Sequence, residues 1–398
     1  MKKVLLSTSA IALVGAFATS ASANEWDVDV GGYMEQFVAY SNVDLKLLDD
    51  DNGYNGVDVK SDAEIIFVPS ITLDNGLQFG ANVQLEANTS GDQIDESYMF
   101  IEGSFGEVNL GSENSAGYKM TYAAPDVTVV GVNSGSTTAF APISGTATGV
   151  SGSAALTGSD LFRGTLGTTF LENMRNNDAQ RITYYTPRFF GFQVGASYAR
   201  DAQQDSNQQV NVDVLGTVHD IWDVGANYVN SFGDFNVAVS GRYGLANLGK
   251  GHAVDDDDDD DFFDRFDDDP EVWAVGANLG YAGFTVGGSY AEQNDAGFMD
   301  GRAWDAGVAY ETGPWGVSFT YFDGENVDND AWPVIDRDEE LQQWIVGLSY
   351  TVAQGVKLGA FGGHIDFKED DVSDEFGPGF SGNEVEAWFI GTSAAIAF

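Results

Sequence analysis

Several kinds of residue are scarce in this 398-residue chain, and each scarcity narrows the class of protein. There is no cysteine, so no disulfide stabilises the fold. Lys and Arg number 17 against 62 Asp and Glu, which excludes nucleic-acid binding because phosphate contacts need cations. After residue 23 the chain has no apolar run of about eighteen residues, so we expect no membrane-spanning helix. With only 8 prolines against 49 glycines and 13% aromatic residues, the composition favours many strands joined by tight turns.

The sequence also lacks recognisable catalytic motifs. Its three histidines, His219, His252 and His364, are scattered, and none adjoins a serine-nucleophile motif. There is no G-x-S-x-G, no H-E-x-x-H and no phosphate-binding glycine loop. We therefore name no catalytic residue and predict that the protein is not an enzyme. A barrel enzyme of the outer membrane is kept as an alternative, and it would need a Ser–His pair on the lipid-facing wall.

The amino-terminal residues have the features of a secretory signal peptide. Lys2 and Lys3 precede an apolar run over residues 4–18, and Ala21-Ser22-Ala23 provides small residues for cleavage. We predict a signal peptide over residues 1–23, followed by one outer-membrane barrel domain over residues 24–398.

Side chains alternate between apolar and polar along most of the mature chain. In residues 77–88, Phe79 and Val83 face one way while Asn82 and Gln84 face the other. A buried helix, with its period of about 3.6, cannot carry this pattern. Later stretches repeat it with aromatic residues near their ends and small aliphatic residues between. Such spacing places rings at the two interfaces of a membrane.

The carboxy-terminal stretch, residues 384–398, has one face of mainly large apolar side chains and one face of mainly small side chains. Trp388, Ile390 and the terminal Phe398 share the first, whereas Gly391 and Ser393 lie on the second. This pattern is typical of the closing strand of an outer-membrane barrel. Taken alone, it also fits an edge strand of a soluble sandwich, so the remaining strands must decide.

Short turns alternate with long acidic loops, and the runs between them predict sixteen strands. The fold class is therefore all-β, a 16-stranded antiparallel transmembrane β-barrel. Its inward faces are expected to be Gly, Ser, Asn, Gln, Thr and Asp, around a water-filled pore. The predicted strands are 26–40, 59–73, 77–88, 95–104, 107–112, 179–187, 192–201, 217–231, 235–247, 271–281, 284–293, 302–312, 315–323, 340–352, 355–367 and 384–398.

The first two strands are ambiguous in face. Residues 64–68 are apolar on both sides apart from Glu64, and Pro69 interrupts the ladder. Either contact with another subunit or a β-bulge would explain this pattern. Between them we expect a polar loop over residues 42–57.

Several segments carry a resemblance to a known family. Residues 181–187 (RITYYTP), followed by Gly191-Phe192 and Tyr198, resemble the R-x-x-Y-x-(S/T)-P-x-x-x-G-F segment of porins. Residues 95–112 are similar to the strand-turn-strand that precedes the constriction loop of that family, and Phe398 matches its last residue. The chain thus resembles the general diffusion porins of Gram-negative bacteria, in their alphaproteobacterial form. The resemblance implies a homotrimer in the outer membrane, with the third loop folded into each barrel as an eyelet.

The longest loop, residues 113–178, is the expected eyelet. Its centre, residues 127–159, is uncharged in an otherwise acidic chain, so it could pack against an inner wall without burying charge. A mobile external loop is the alternative. In the porin family, loop carboxylates face basic wall residues across the pore. We expect the constriction to be formed by Asp126, Asp160, Glu172, Arg163, Arg175, Arg181 and Arg242.

A second acidic loop, residues 248–269, contains seven consecutive aspartates. Such density of like charge stays solvated unless cations neutralise it, and carboxylate oxygens suit calcium. A calcium site is therefore one interpretation, and a disordered acidic loop is the other. No other cofactor is expected. The calcium ligands would be Asp255, Asp256, Asp257, Asp258, Asp259, Asp260 and Asp261.

These patterns predict a channel for passive diffusion of ions and small hydrophilic solutes. A formal charge of −45 predicts that the pore prefers cations, since negative walls raise the local cation concentration. The expected partners are the lipid bilayer, lipopolysaccharide and the diffusing solutes. A substrate-specific sugar or anion porin is an alternative. A calcium-dependent secreted adhesin would need G-G-x-G-x-D repeats, which the sequence lacks.

Overall fold

In the computed structural model the chain forms a closed antiparallel β-barrel. The residues described are 25–47, 50–87, 93–133, 140, 166–172, 176–204, 218–249, 269–294, 299–328, 338–370 and 384–398. The strands are β1 (Asp27–Leu47), β2 (Asp50–Thr72), β3 (Gln78–Glu86), β4 (Ile94–Gly103), β5 (Gly106–Ser112), β6 (Ala179–Tyr185), β7 (Phe192–Gln204), β8 (Val218–Phe232), β9 (Phe235–Leu248), β10 (Glu271–Tyr281), β11 (Phe284–Asn294), β12 (Met299–Thr312), β13 (Trp315–Asp328), β14 (Glu339–Ala353), β15 (Val356–Glu369) and β16 (Glu384–Ala397).

Each strand pairs with its neighbours in sequence, and β1 closes the sheet against β16. The last residue takes part in the closure: Gly32 N donates to the Phe398 carbonyl and Phe398 N donates back to Gly32, each at 3.1 Å. Closure leaves no edge strand with unpaired backbone groups, a condition that any sheet inside a lipid bilayer must meet. The predicted 16-stranded antiparallel barrel is confirmed.

The two faces of the wall differ as the alternation predicts. Exposed apolar side chains cover the outside, and aromatic pairs lie near each rim. Phe284 and Tyr310 pair at the rim of the short turns with centroids 4.4 Å apart. Trp304 and Tyr321 pair toward the rim of the long connections at 5.2 Å. Two girdles of rings flanking an apolar band are the arrangement found in transmembrane barrels.

The predicted loop over residues 42–57 is wrong, because this segment is mostly strand. β1 runs on to Leu47 and β2 starts at Asp50, with Val43 opposite Tyr54 in a regular ladder. The Asn-, Asp- and Gly-rich sequence reads locally as a turn, but pairing between the two strands overrides that preference. Pro69 causes no shift of register, since Phe67 pairs with Val83 and Ser70 with Gly80 in the same alignment.

The expectation of uniformly small or polar inward residues is also wrong in part. Apolar side chains on the inner faces of β1 and β12–β16, several of them large, form a buried cluster with residues of the 113–178 loop. The loop dehydrates this part of the wall, so its side chains follow the rules of a core. Among the residues described, no helix is long and apolar enough to cross a membrane. The inward members of the cluster are Phe37, Ala39, Val43, Ala303, Phe322, Leu341, Ile345, Phe361, Ile365, Phe367, Val385, Ala387 and Phe389.

Candidate functional site

The loop that follows β5 turns against the inner face of the wall through a short helix, α1 (Ala116–Met120). Ser115 caps α1 by accepting a hydrogen bond from Tyr118 N. The first backbone N–H groups then reach the wall: Ala116 N donates to Ser197 Oγ of β7 at 2.7 Å. Gly117 N donates to Asp223 Oδ1 of β8 at 2.6 Å. The first helical turn is thus satisfied by wall side chains.

Beyond α1 the chain crosses successive strands, and we call residues 115–133 the inner segment. Tyr122 N donates to Ser240 Oγ of β9 at 2.9 Å, and Ser240 alternates with the exposed Val239. Ala124 N donates to Asp305 Oδ1 of β12 at 2.6 Å. Further on, Val127 N donates to Ser318 of β13 and Gln343 of β14 donates to the Val132 carbonyl, at 3.2 and 2.8 Å. Because backbone groups make these bonds, the sequence of the segment can vary while its path stays fixed.

Glycines on the inner face make room for this path. A Cβ added to Gly276 of β10 would overlap the Tyr122 carbonyl oxygen. One added to Gly225 of β8 would lie 2.8 Å from Gly117 Cα, and one on Gly316 of β13 would lie 3.1 Å from Val127 Cβ. A glycine is required at each close approach between two backbones. Successive strands therefore form a shallow track, with further members Gly195, Gly307 and Gly347.

A buried ion pair holds the same region. The Arg242 guanidinium donates to Asp223 and to the Leu171 carbonyl of the returning loop. The two side chains are only 1% and 3% exposed, so the charges compensate each other away from bulk water. The Arg242 nitrogen that donates to Asp223 also lies 3.4 Å from Ser115 Oγ, which itself donates to Glu172 Oε1 at 3.3 Å. Wall, α1 and the far end of the loop meet at this point.

A buried carboxylate on β12 fixes the loop a second time. Asp305 accepts hydrogen bonds from Ser289 of β11, from Thr169 Oγ1 at 2.8 Å and from Asn133 Nδ2 at 3.0 Å. Together with the bond from Ala124 N, both of its oxygens are occupied. Asp305 therefore joins the two ends of the loop to each other and to the wall.

Apolar contacts secure the loop on the other side of β14. Phe140 stacks on Phe389 of β16 with ring centroids 5.6 Å apart and lies 5.7 Å from the ring of Phe361 on β15. Val130 and Leu166 belong to the same buried cluster. Burying side chains of this size stabilises by about 1.5–3 kcal/mol each, which is enough to hold a loop without charged contacts.

The predicted constriction residues are spread over these structures. Arg181 faces inward on β6, where it is buried and donates to the Asn176 carbonyl, and Arg242 faces inward as the alternation predicted. Asp126 stands apart, near Lys357 of β15. Desolvation raises the pKa of Asp126 to about 7, against the lowering influence of Lys357 and the Thr128 N–H. Asp160, Arg163 and Arg175 lie outside the residues described, as do Asp255, Asp256, Asp257, Asp258, Asp259, Asp260 and Asp261.

The wall formed by β1–β5, which we call the acidic wall, differs from the wall under the inner segment. Its cross-strand register places like charges directly opposite each other: Glu35 against Asp62, and Glu64 against Glu86. The pairing of β4 with β5 places Glu102 opposite Glu107 near the short turn. All three alignments run against the usual preference for opposite charges across strands.

Lysines near the acidic wall have carboxylate partners of their own. Lys119 of α1 lies 3.2 Å from Glu96 and 2.9 Å from Glu113, and 4.9 Å above the ring of Tyr98. Burial acts to lower the pKa of Lys119, but Glu113 and Glu96 hold it well above its ordinary value. Lys60 of β2 pairs with Asp58 at 2.6 Å. A third lysine, Lys357 of β15, acts on Glu35, and the Tyr33 hydroxyl donates to Asp62 Oδ1 at 3.3 Å.

Sequence reasoning missed the acidic wall. Alternation along β2 puts Asp62 and Glu64 on one face. The apolar run in this strand, however, left it ambiguous which face points into the barrel. The opposition of like charges depends on register, which one strand alone does not reveal. Asp223 and Asp305 were missed as loop contacts because their partners lie more than 100 residues away.

A closed β-barrel with an apolar exterior, two aromatic girdles and a polar inner wall defines an outer-membrane channel. The family model described as Gram-negative porin matches residues 8–370, and the chain belongs to this family of outer-membrane proteins.

Individual relatives agree in fold and length. An outer membrane porin protein of Bordetella pertussis is 24% identical over 411 residues, covering 95% of this chain and 99% of its own. The anion-selective porin from Comamonas acidovorans has a TM-score of 0.55 at 16% identity, covering 94% of this chain and all of its own (100%). OmpT of Vibrio cholerae, in its trimer form, has a TM-score of 0.54 at 15% identity, with 94% and 99% covered.

Proposed function

We propose that this porin lets ions and small hydrophilic solutes diffuse passively across the outer membrane and that it prefers cations. Family and fold indicate a channel rather than an enzyme. The preference is supported by one observation above all, the like-charged carboxylate pairs on the inner face of β1–β5. Carboxylates beside a low-dielectric wall raise the concentration of cations and lower that of anions.

Elsewhere in the described part of the lumen, two cations have carboxylate partners. Arg242 is neutralised by Asp223 under the inner segment, and Lys119 is shared by Glu96 and Glu113. A permeating ion would therefore encounter the acidic wall as the dominant field. The expected transverse field between Asp126, Asp160 and Glu172 on one side and Arg163, Arg175, Arg181 and Arg242 on the other stays a prediction.

A substrate-specific porin for sugars or anions is the second candidate. The similarity to an anion-selective porin concerns the fold at 16% identity, and selectivity is set by side chains rather than by the barrel. On the acidic wall, those side chains favour cations.

Partners and cofactors follow as proposals. A homotrimer is proposed from the family and from the trimer form of the Vibrio cholerae relative. Contact with lipopolysaccharide is proposed from the outer-membrane location. Calcium binding by Asp255–Asp261 stays a prediction outside the described residues, as does the signal peptide over residues 1–23.

The reversal potential across a potassium chloride gradient tests the cation preference. We expect a potential of the sign given by excess potassium flux in planar bilayers. Replacing Glu35 by Gln together with Asp62 by Asn should lower the cation-to-anion permeability ratio at least about twofold, because one like-charged pair is removed. A chloride preference in the unaltered protein would reject the proposal.

A further inference from the structure

Lys357 is a cation on the inner wall whose ammonium group touches no carboxylate. It lies near the start of β15, on the same face as the buried Phe361, and opposite Ala395 of β16. Among the lysines that the structure describes, it alone forms neither an ion pair nor a side-chain hydrogen bond. The others, each with a carboxylate oxygen at 2.6 to 3.8 Å, are Lys46, Lys60, Lys119 and Lys368.

The wall around Lys357 consists of small residues and keeps accessible surface. Lys357 itself, Ser393 and Ala395 are all partly exposed on the inner face. Nearer the long connections, Ala387 and Phe389 on the same face of β16 are at most 2% exposed, because they lie in the buried cluster formed with the loop. The loop therefore covers one half of this wall and leaves the half that carries Lys357 accessible.

Carboxylates lie on two sides of the ammonium group. Along the inner face, Ala395 separates Lys357 from Glu35 of β1, so these two charged residues are two strands, about 10 Å, apart at the backbone. On the inner segment, Asp126 accepts a hydrogen bond from Thr128 N and lies close enough for Lys357 to act on its charge. Neither carboxylate is within ion-pair distance of Lys357, so its positive charge is available to an anion in the lumen.

A fixed positive charge beside a water-filled lumen raises the local concentration of anions and lowers that of cations. Its influence extends over a Debye length, which is about 10 Å at 0.1 M salt, and so reaches an ion that passes along β14–β16. An ammonium group has three N–H donors and imposes no fixed geometry on a small anion. The carboxylates of the acidic wall act on ions in the opposite sense.

We propose that Lys357 admits small monovalent anions such as chloride to this pore and thereby limits its cation preference. The inference rests on the proposed function and adds the residue that sets the size of that preference. Arg181 and Arg242, which the resemblance suggested for the positive side of the pore, are 5% and 6% exposed and donate to loop carbonyls. Lys357 is accessible where these two arginines are buried.

Ion selectivity of charge-altered variants tests this role. In potassium chloride of about 0.1 M, Lys357→Gln should raise the potassium-to-chloride permeability ratio about twofold, because one positive charge is lost. Lys357→Arg should keep the ratio of the unaltered protein. In about 1 M salt, where the Debye length is about 3 Å, the effect of Lys357→Gln should disappear, whereas a change in the shape of the pore would persist.

Lys368→Gln is the matched control. It makes the same change of charge on the same strand, but eleven residues away and therefore on the opposite face, where the side chain is 59% exposed. The permeability ratio should stay that of the unaltered protein.

Changing the charge within one assembled channel removes any effect of folding. Because the chain has no cysteine, Lys357→Cys introduces a single thiol. A cationic thiol reagent should lower the potassium-to-chloride ratio toward that of the unaltered protein, and an anionic reagent of similar size should raise it further.

The outcomes separate the inference from the proposed function. A cation-preferring channel in which Lys357→Gln, Lys357→Arg and Lys368→Gln share one ratio overturns the role of Lys357 alone. Equal effects of the two reagents on Lys357→Cys, or no effect of either, also overturn that role. A chloride preference in the unaltered protein overturns the proposed function, and the inference with it.

Discussion

Two parts of the lumen wall share one backbone pattern but differ in their inward side chains. The wall under the inner segment, β7–β14, presents serines, glycines and carboxylates that accept from the loop backbone. The acidic wall, β1–β5, presents carboxylates opposite carboxylates. Both walls alternate inward and outward with a period of two, so the alternation specifies a barrel in each. Their inward residues differ because the first wall binds the backbone of the inner segment along its whole width.

The difference also explains how a strongly acidic chain builds a stable interior. Under the inner segment, negative charge is placed where a donor meets it, as when Asp223 receives Arg242 and Gly117 N. On the acidic wall, carboxylates lie opposite carboxylates across neighbouring strands, and Lys119 and Lys357 act on only some of them.

The largest expected effect comes from breaking the buried ion pair. Asp223→Ala leaves the Arg242 guanidinium buried without its carboxylate, which should cost about 3–5 kcal/mol of unfolding free energy. Urea unfolding in lipid vesicles measures the loss. The double variant Asp223→Leu with Arg242→Met is the control, since it removes both charges and should be less destabilised than Asp223→Ala. A loss below about 1 kcal/mol in Asp223→Ala, the range of exposed ion pairs, would contradict the assignment.

A smaller effect is expected from filling the glycine track. Gly276→Ala places a methyl group into the Tyr122 carbonyl oxygen, so the inner segment must shift at a cost of about 1–3 kcal/mol. Single-channel conductance should change because the segment moves into the lumen. Gly241→Ala on the outer face of the adjacent strand is the control, with its nearest heavy atom 4.0 Å away. Equal conductance in both variants would show that the track does not position the loop.

Much of the barrel was predictable because alternation is a local property of the chain. β10, Glu271–Tyr281, has the predicted bounds, and Arg242 faces inward as expected. The Phe398 closure was also indicated by the terminal pattern. These features depend on neighbouring residues along one strand, which the sequence displays directly.

The rest depends on which residues meet across the barrel. The composition of residues 42–57 is typical of a loop, yet these residues continue the ladder between β1 and β2. Pairing between two long strands outweighs the local preference for a turn. Phe389 was expected on the face of mainly small side chains, yet it packs against Phe140, which belongs to a loop far away in sequence. In the sequence, the glycines of the track cannot be distinguished from other strand glycines, because the loop backbone that packs on them lies far away in the chain.

The central claim is that the inner segment lies against β7–β14 rather than against β1–β3. Because the chain has no cysteine, single cysteines can report this directly. Asn82→Cys lies on the acidic wall, and Ser240→Cys lies beneath Tyr122 N, where Ser240 is 6% exposed. We predict that a small cationic thiol reagent reduces the current through Asn82→Cys about a hundredfold faster than through Ser240→Cys, because access governs thiol modification. Equal rates, or faster modification of Ser240→Cys, would contradict this arrangement of the lumen.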